Sequence, residues 1–232
     1  MRRFLPLVLL ALCFLRPSGA SAAEPAATVA VLYFDYTGKN AELEVLRKGL
    51  AQMLISDLSG TDTIRVVERD RLEDILTELK LQGTAKVDPK SAVKMGKLLG
   101  AKYLVLGGYF DLAGALRVDA RIVEVETGKI VKSFGANAKP GDFLPVEQSI
   151  AGSLGTWFST NLTASAQATP AATKKPPKPP AALKTKTAVR YAEALAMADT
   201  GHKDKAKEAL AGVIKEQPDF ALASLDLDRM MK

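Results

Sequence analysis

The chain has 232 residues, a hydrophobic fraction of 47% and a formal net charge of +6, enough for one good domain plus something small and too apolar for a disordered chain. The positive charge does not imply a nucleic-acid partner, because Arg2, Arg3 and Arg16 fall in a leader, and Lys174, Lys175, Lys178, Lys184 and Lys186 fall in one proline-rich tract. Without them the balance is about −2, which offers phosphate no broad basic face.

The leader has three parts in order: the basic start Met1-Arg2-Arg3, an apolar run from Phe4 to Leu15, and the small residues Ala20-Ser21-Ala22-Ala23. That is the pattern of a secretory signal peptide over residues 1–22, with cleavage expected after Ala22 or Ala23. The run is too short for a stable anchor, and no later stretch has the apolar length of a transmembrane helix. Cys13, the only cysteine, lies inside the run, and Leu12 stands before it where a bacterial lipid-anchor site wants a small residue. The mature chain is expected to have no disulfide, thiol nucleophile or thiolate metal site.

After the leader, Thr28 to Phe34 is β-branched and aromatic enough for a buried first strand, and Asp35 to Asn40 reads as a turn. From Ala41 to Leu58 the residues Leu43, Leu46, Leu50, Met53, Leu54 and Leu58 form one helical stripe, capped by Asn40 and closed by Ser59-Gly60. A second strand over Thr63 to Val67 leads through Glu68-Arg69 into a helix with the face Leu72, Ile75, Leu76 and Leu79, where Asp70 and Glu73 stand at capping-box spacing. Asp88-Pro89 starts a third helix and Gly100 stops it.

Gly100 to Asp111 contains Leu104-Val105-Leu106, apolar on both parities, as in a central strand covered on both faces. A helix precedes it and an alternating segment follows, so it should take one parallel and one antiparallel neighbour. In Ala115 to Glu126 the apolar parity switches at Ile122-Val123, which suggests a β-bulge. Thr127-Gly128 then turns the chain into a last strand over Lys129 to Phe134, and Pro145 to Leu162 reads as a covering helix. Residues 164–187 read as an extended Pro/Lys/Ala-rich linker, followed by helices over Ala188 to Ala198 and Asp204 to Lys215 and a third starting at Phe220. The expected fold is therefore α/β, a five-stranded mixed sheet with helices on its faces over residues 28–163, plus a small all-α module over 188–232.

Chemistry-bearing residues are few. The only histidine, His202, falls in a surface turn, without the partners that a metal site or nucleophile pair needs. Asp35 and Asp111 follow strands of one parallel sheet at the ends where such sheets bind ligands, but Asp is as common there as a turn-former. Gly107-Gly108 and Thr37-Gly38-Lys39 match no phosphate-binding spacing. Glu68-Arg69-Asp70-Arg71 reads as a solvated helix start, with a buried role for Arg69 as the alternative. No catalytic set, metal site or cofactor site is expected.

Four groups of residues carry a resemblance: Val29-Ala30-Val31 with Phe34; Val66-Val67-Glu68-Arg69 with Leu72 and Leu76; Glu78 with Leu81-Gln82-Gly83; and Gly100-Ala101-Lys102-Tyr103-Leu104-Val105 with Gly107. In these the segment from Val29 to Phe134 resembles the CsgG-like domain of bacterial envelope proteins, named for the curli-secretion component, and less closely the amino-terminal domain of TolB. Pore-forming members add long membrane-crossing hairpins, whereas here Asp111 to Gly114 and Thr127-Gly128 are tight turns. The C-terminal piece resembles a tetratricopeptide repeat through Ala194, Ala206, Leu210 and Pro218. In that register Tyr191, Leu195 and Ala198 are the expected partner-binding residues.

The resemblance implies the fold and the compartment; with the export signal, the missing catalytic set and the repeat, the expectation is a periplasmic, non-enzymatic scaffold or assembly protein of the cell envelope, with peripheral outer-membrane association and with envelope proteins or self-association as its partners. The alternatives are a subunit of a curli-type secretion channel and a small-ligand or nucleotide-binding receptor.

Overall fold

In a computed structural model of the chain, the structure describes residues 26–81, 89–112, 115–139, 141–162 and 179–232. The expected leader with its cleavage site at Ala22 lies outside these residues, as do residue 163 and residues 164–178 of the expected linker.

The sheet is mixed and runs in the order β3-β1-β4-β5-β6, with the two-residue β2 also beside β4. Strand β1 (Ala27–Val31) lies parallel to β3 (Ile64–Val66) on one side and to β4 (Tyr103–Leu112) on the other. Strands β4, β5 (Ala115–Glu124) and β6 (Ile130–Ala138) then form an antiparallel meander. The central strand thus has the two kinds of neighbour expected of it. The register of β5 on β6 shifts between Ile122 and Val123, where the apolar parity switches.

One expected turn is a strand. Asp35–Tyr36 forms β2, pairing with Gly108 and Tyr109 of β4. At ten residues β4 is twice as long as β1, so its second half has room for another parallel partner, and the Tyr36 ring packs on Tyr109 at 5.1 Å. The single helix expected over Ala41 to Leu58 is also divided, into α1 (Ala41–Glu44) and α2 (Leu46–Leu58). Buried Tyr109 accounts for the break: its hydroxyl donates to the Leu43 carbonyl at 2.5 Å and reaches the Glu44 carbonyl at 3.3 Å, drawing both out of the helical ladder. Asn40 caps α1 as expected, its Oδ1 accepting from the Glu42 N–H at 3.0 Å.

Helix α3 (Arg69–Glu78) starts from Glu68 without a side-chain cap, so Asp70 lies in its first turn and does not serve as its cap. Helix α4 (Pro89–Leu98) follows, and Gly100 turns the chain at a φ of +65°. Together α3 and α4 bury Leu72, Ile75, Leu76, Ala92 and Met95 on one face of the sheet, against Ala30, Leu32, Leu104 and Val123.

The other face carries the larger core. It is covered by α2 and α5 (Leu144–Asn161), and the C-terminal helices α6 (Thr185–Asp199), α7 (Lys203–Glu216) and α8 (Ala221–Met231) add to the same core through the packing of α6 on α2. Val105, Val118, Ile122, Leu54, Phe158, Tyr191 and Phe220 belong to one continuous cluster of buried residues. The helical region therefore packs against the sheet domain: α6 begins three residues inside the expected linker, Leu183 just before it is fully buried, and Lys184 bridges to Asp142. Small residues permit the close approach of α2 and α6. A Cβ on Gly49 would stand 2.9 Å from the Ala192 Cβ.

Candidate functional site

Where the sheet domain meets the end of α6, five polar side chains from four parts of the chain come together. Tyr33 follows β1, Lys48 lies on α2, Arg69 and Glu73 stand one turn apart on α3, and Asp199 is the last residue of α6. The Arg69 Nη1 donates to both Asp199 oxygens, at 2.6 and 2.8 Å, and lies 3.9 Å from Glu73 Oε1. Lys48 Nζ pairs with the same two carboxylates, at 2.8 Å from Glu73 and in a short contact with Asp199, and sits 5.4 Å from the Tyr33 ring centre. The Tyr33 hydroxyl donates to Glu73. Arg69 is only 6% exposed, which realises the buried alternative for this residue and removes it from the solvated helix start.

Tyr33, Asp199 and Arg69 are each held in one protonation state. Burial pushes the Tyr33 hydroxyl far above its usual range; Arg69 opposes that rise and Glu73 adds to it. Burial also opposes ionisation of Asp199, but Arg69 and Lys48 outweigh it and hold the carboxyl below its usual range. For Arg69, burial opposes the charge and the ionised Asp199, hydrogen-bonded to it, favours it. A tyrosine kept protonated and a guanidinium kept charged do not form a nucleophile with an adjacent base. The arrangement is suited to fastening, with charge-assisted hydrogen bonds tying α6 to α2 and α3.

Beside the knot lies a cleft of about 410 Å³, lined by apolar Leu32, Leu72 and Met95 and by charged Glu44, Lys48 and Asp199. Its size is that of a small-ligand pocket. Asp35 and Asp111 do not line it. Asp35 stands 3.5 Å from Arg47 Nη2, and Asp111 accepts from the Tyr36 hydroxyl. Among the described residues no three His, Cys, Asp or Glu side chains are grouped to hold a metal ion. His202 is exposed in the turn after α6, its Nδ1 3.1 Å from Thr200 Oγ1.

The structure brings Tyr191 and Leu195 together with the chain's own core. Tyr191 is fully buried, its ring edge-on to Phe220 at 5.0 Å and its hydroxyl donating to Asp226 at 2.6 Å. Leu195 is 1% exposed and Ala198 is half-buried. The inner face of α6, expected to meet a partner, is thus occupied by α2 and by the α7–α8 pair. Sequence reasoning missed Tyr33, Lys48 and Asp199. Asp199 follows an alanine-rich helix and reads as an ordinary helix end, and nothing near it in sequence points to Arg69, 130 positions away.

Residues 25–117 match the family described as curli production assembly/transport component CsgG. No curated protein sequence matches the chain. Among solved structures, the chain is similar to the LpoB C-terminal domain from Salmonella enterica at 15% identity and a TM-score of 0.43, covering 52% of this chain and 87% of that one. It is similar to lipoprotein GNA1162 from Neisseria meningitidis at 13% identity and a TM-score of 0.42, covering 58% and 99%. A third similarity is to the PelC dodecamer from Paraburkholderia phytofirmans, at 13% identity and a TM-score of 0.33, covering 58% and 93%.

Proposed function

We propose that the chain is an exported, non-enzymatic scaffold or assembly protein of the bacterial cell envelope, periplasmic and peripheral to the outer membrane, acting by contact with envelope proteins. The observation that carries this reading is the match of residues 25–117 to a family of assembly and transport components. The signal-like leader supports the compartment, and the chemistry of the knot, which fastens elements and leaves no activated nucleophile, supports scaffolding. Among the described residues no helix is long and apolar enough to cross a membrane.

A secretion-channel subunit is the second reading of the same match. Strands β4 and β5 are joined through two residues, Leu112 pairing with Ala115, and β5 and β6 through the five residues Val125 to Lys129. A membrane-crossing strand needs roughly 9–11 residues, and neither connection has them, which favours the scaffold.

Tyr191, Leu195 and Ala198 serve as partner contacts only if the helical region lifts from α2, so the test uses positions already exposed. A photo-reactive residue at Ile130, Leu225 or Met231, which are 55%, 39% and 69% exposed, is introduced into the full chain in intact cells. The expected result is a processed chain in the periplasmic or outer-membrane fraction, cross-linked from at least one position to a defined envelope protein or to itself. An uncleaved chain in the cytoplasm without such an adduct refutes the reading.

A further inference from the structure

A second polar feature lies under the helical region, away from the knot. Asp57 near the end of α2 and Glu147 in the first turn of α5 line a cavity of about 20 Å³, closed by Pro179-Pro180, Phe220 and Leu222. Glu147 is 1% exposed, and its Oε1 has no hydrogen-bond partner. Among the described residues of α2, α5, the 179–180 segment and the start of α8, the titratable groups facing this space are these two carboxyls, and no lysine, arginine or histidine lines it.

Buried Glu147 and half-buried Asp57, with no counter-charge beside them among the described residues, cannot both ionise at low cost, because Glu147 lacks solvent and the two charges repel each other. Burial raises Glu147 well above the usual carboxylate range and Asp57 adds to the rise, while burial pushes Asp57 up to about 6. A hard divalent cation wants six or more oxygen ligands, which the apolar walls do not supply. A cavity of this size has room for about one water. A proton is the occupant that fits.

We propose that Asp57 and Glu147 form a proton-held latch, closing residues 179–183 and the α6–α8 region over α2 and α5 while Glu147 is protonated and loosening that closure as the two carboxyls ionise. Both pKa values are raised in the folded chain, so the folded state binds more protons than the unfolded one. The stabilisation is complete below the unfolded carboxylate values and is lost as pH rises through about 6 for Asp57 and through the raised value of Glu147. The loss is felt at the junction, because the cavity walls belong to the helical region and to its two supporting helices. In a compartment that takes its pH from the medium, the latch would set how firmly this region is held.

The experiment follows the full chain from pH 5 to pH 8 at fixed ionic strength, by thermal melting and by amide exchange of α6 and β4. The expected result is a Tm that falls with pH and exchange in α6 that quickens more than in β4. Glu147→Gln should flatten the fall in Tm, and Asp57→Asn should remove the part that ends near pH 6. If Glu147→Gln does not fold, Asp57→Asn alone supplies the comparison of slopes. Parallel slopes in wild type and variant overturn the proposal. So does a Tm at pH 8 that calcium or magnesium raises in wild type and not in Glu147→Gln, since that result makes the pair a cation site.

Discussion

Replacing Asp199 with alanine tests whether the knot fastens the helical region. The change removes the acceptor of two Arg69 hydrogen bonds, at 2.6 and 2.8 Å, and leaves a guanidinium whose side chain is 7% exposed beside Glu73 at 3.9 Å. Breaking a buried ion pair by removing one partner costs about 3–5 kcal/mol when the other charge is left uncompensated. Compensation here is partial, because Glu73 remains and Lys48, with a side chain 25% exposed, can turn toward water, so a loss of about 2–4 kcal/mol is expected.

The assay is urea unfolding, read as a lower midpoint at unchanged slope. Exchange of α6 amides should quicken before that of β4. A double replacement, Arg69→Met with Asp199→Leu, removes both charges and should recover stability to within about 1–2 kcal/mol of wild type. An Asp199→Ala variant within about 0.5 kcal/mol of wild type refutes the reasoning, since that is the range of an ordinary surface change.

Tyr191→Phe leaves the Asp226 carboxylate, 5% exposed, with the Arg229 contact at 3.4 Å as its remaining side-chain partner among the described residues, and should cost about 1–3 kcal/mol in the same urea assay; an unchanged midpoint would mean that the hydroxyl is not needed. Gly49→Ala gains about 1 kcal/mol of helix propensity but sets a methyl 2.9 Å from the Ala192 Cβ, which has no rotamer to yield. Overpacking costs about 1–3 kcal/mol, so a net fall in Tm of about 2–4 °C is expected for a domain of this size, and a higher Tm would show that α2 and α6 separate freely.

Much of the sheet was readable because its signals are local. The both-parity run at Leu104-Val105-Leu106 marks a strand buried on both faces, and the parity switch at Ile122-Val123 marks the bulge. Gly128, at a φ of +66°, closes the turn between β5 and β6 where Thr127-Gly128 was expected to make it. What was not readable depends on contacts between residues far apart. Tyr109 divides a continuous helical stripe by drawing on carbonyls 65 and 66 positions earlier.

The C-terminal region shows the division most clearly. By itself the sequence determined three helices there, since alanine-rich apolar spacing, Gly201 and Pro218 are enough to start and stop them. Which way those helices face was decided only by the tertiary structure. Tyr191 and Leu195 read equally well as a surface for another protein or as the inside of this one, because an apolar stripe specifies burial and not the identity of what covers it. The cover is α2 together with the α7–α8 pair, α2 admitted by Gly49 and the end of α6 fixed by Arg69 of α3 meeting Asp199, and that pairing of distant residues has no periodicity for a sequence to display.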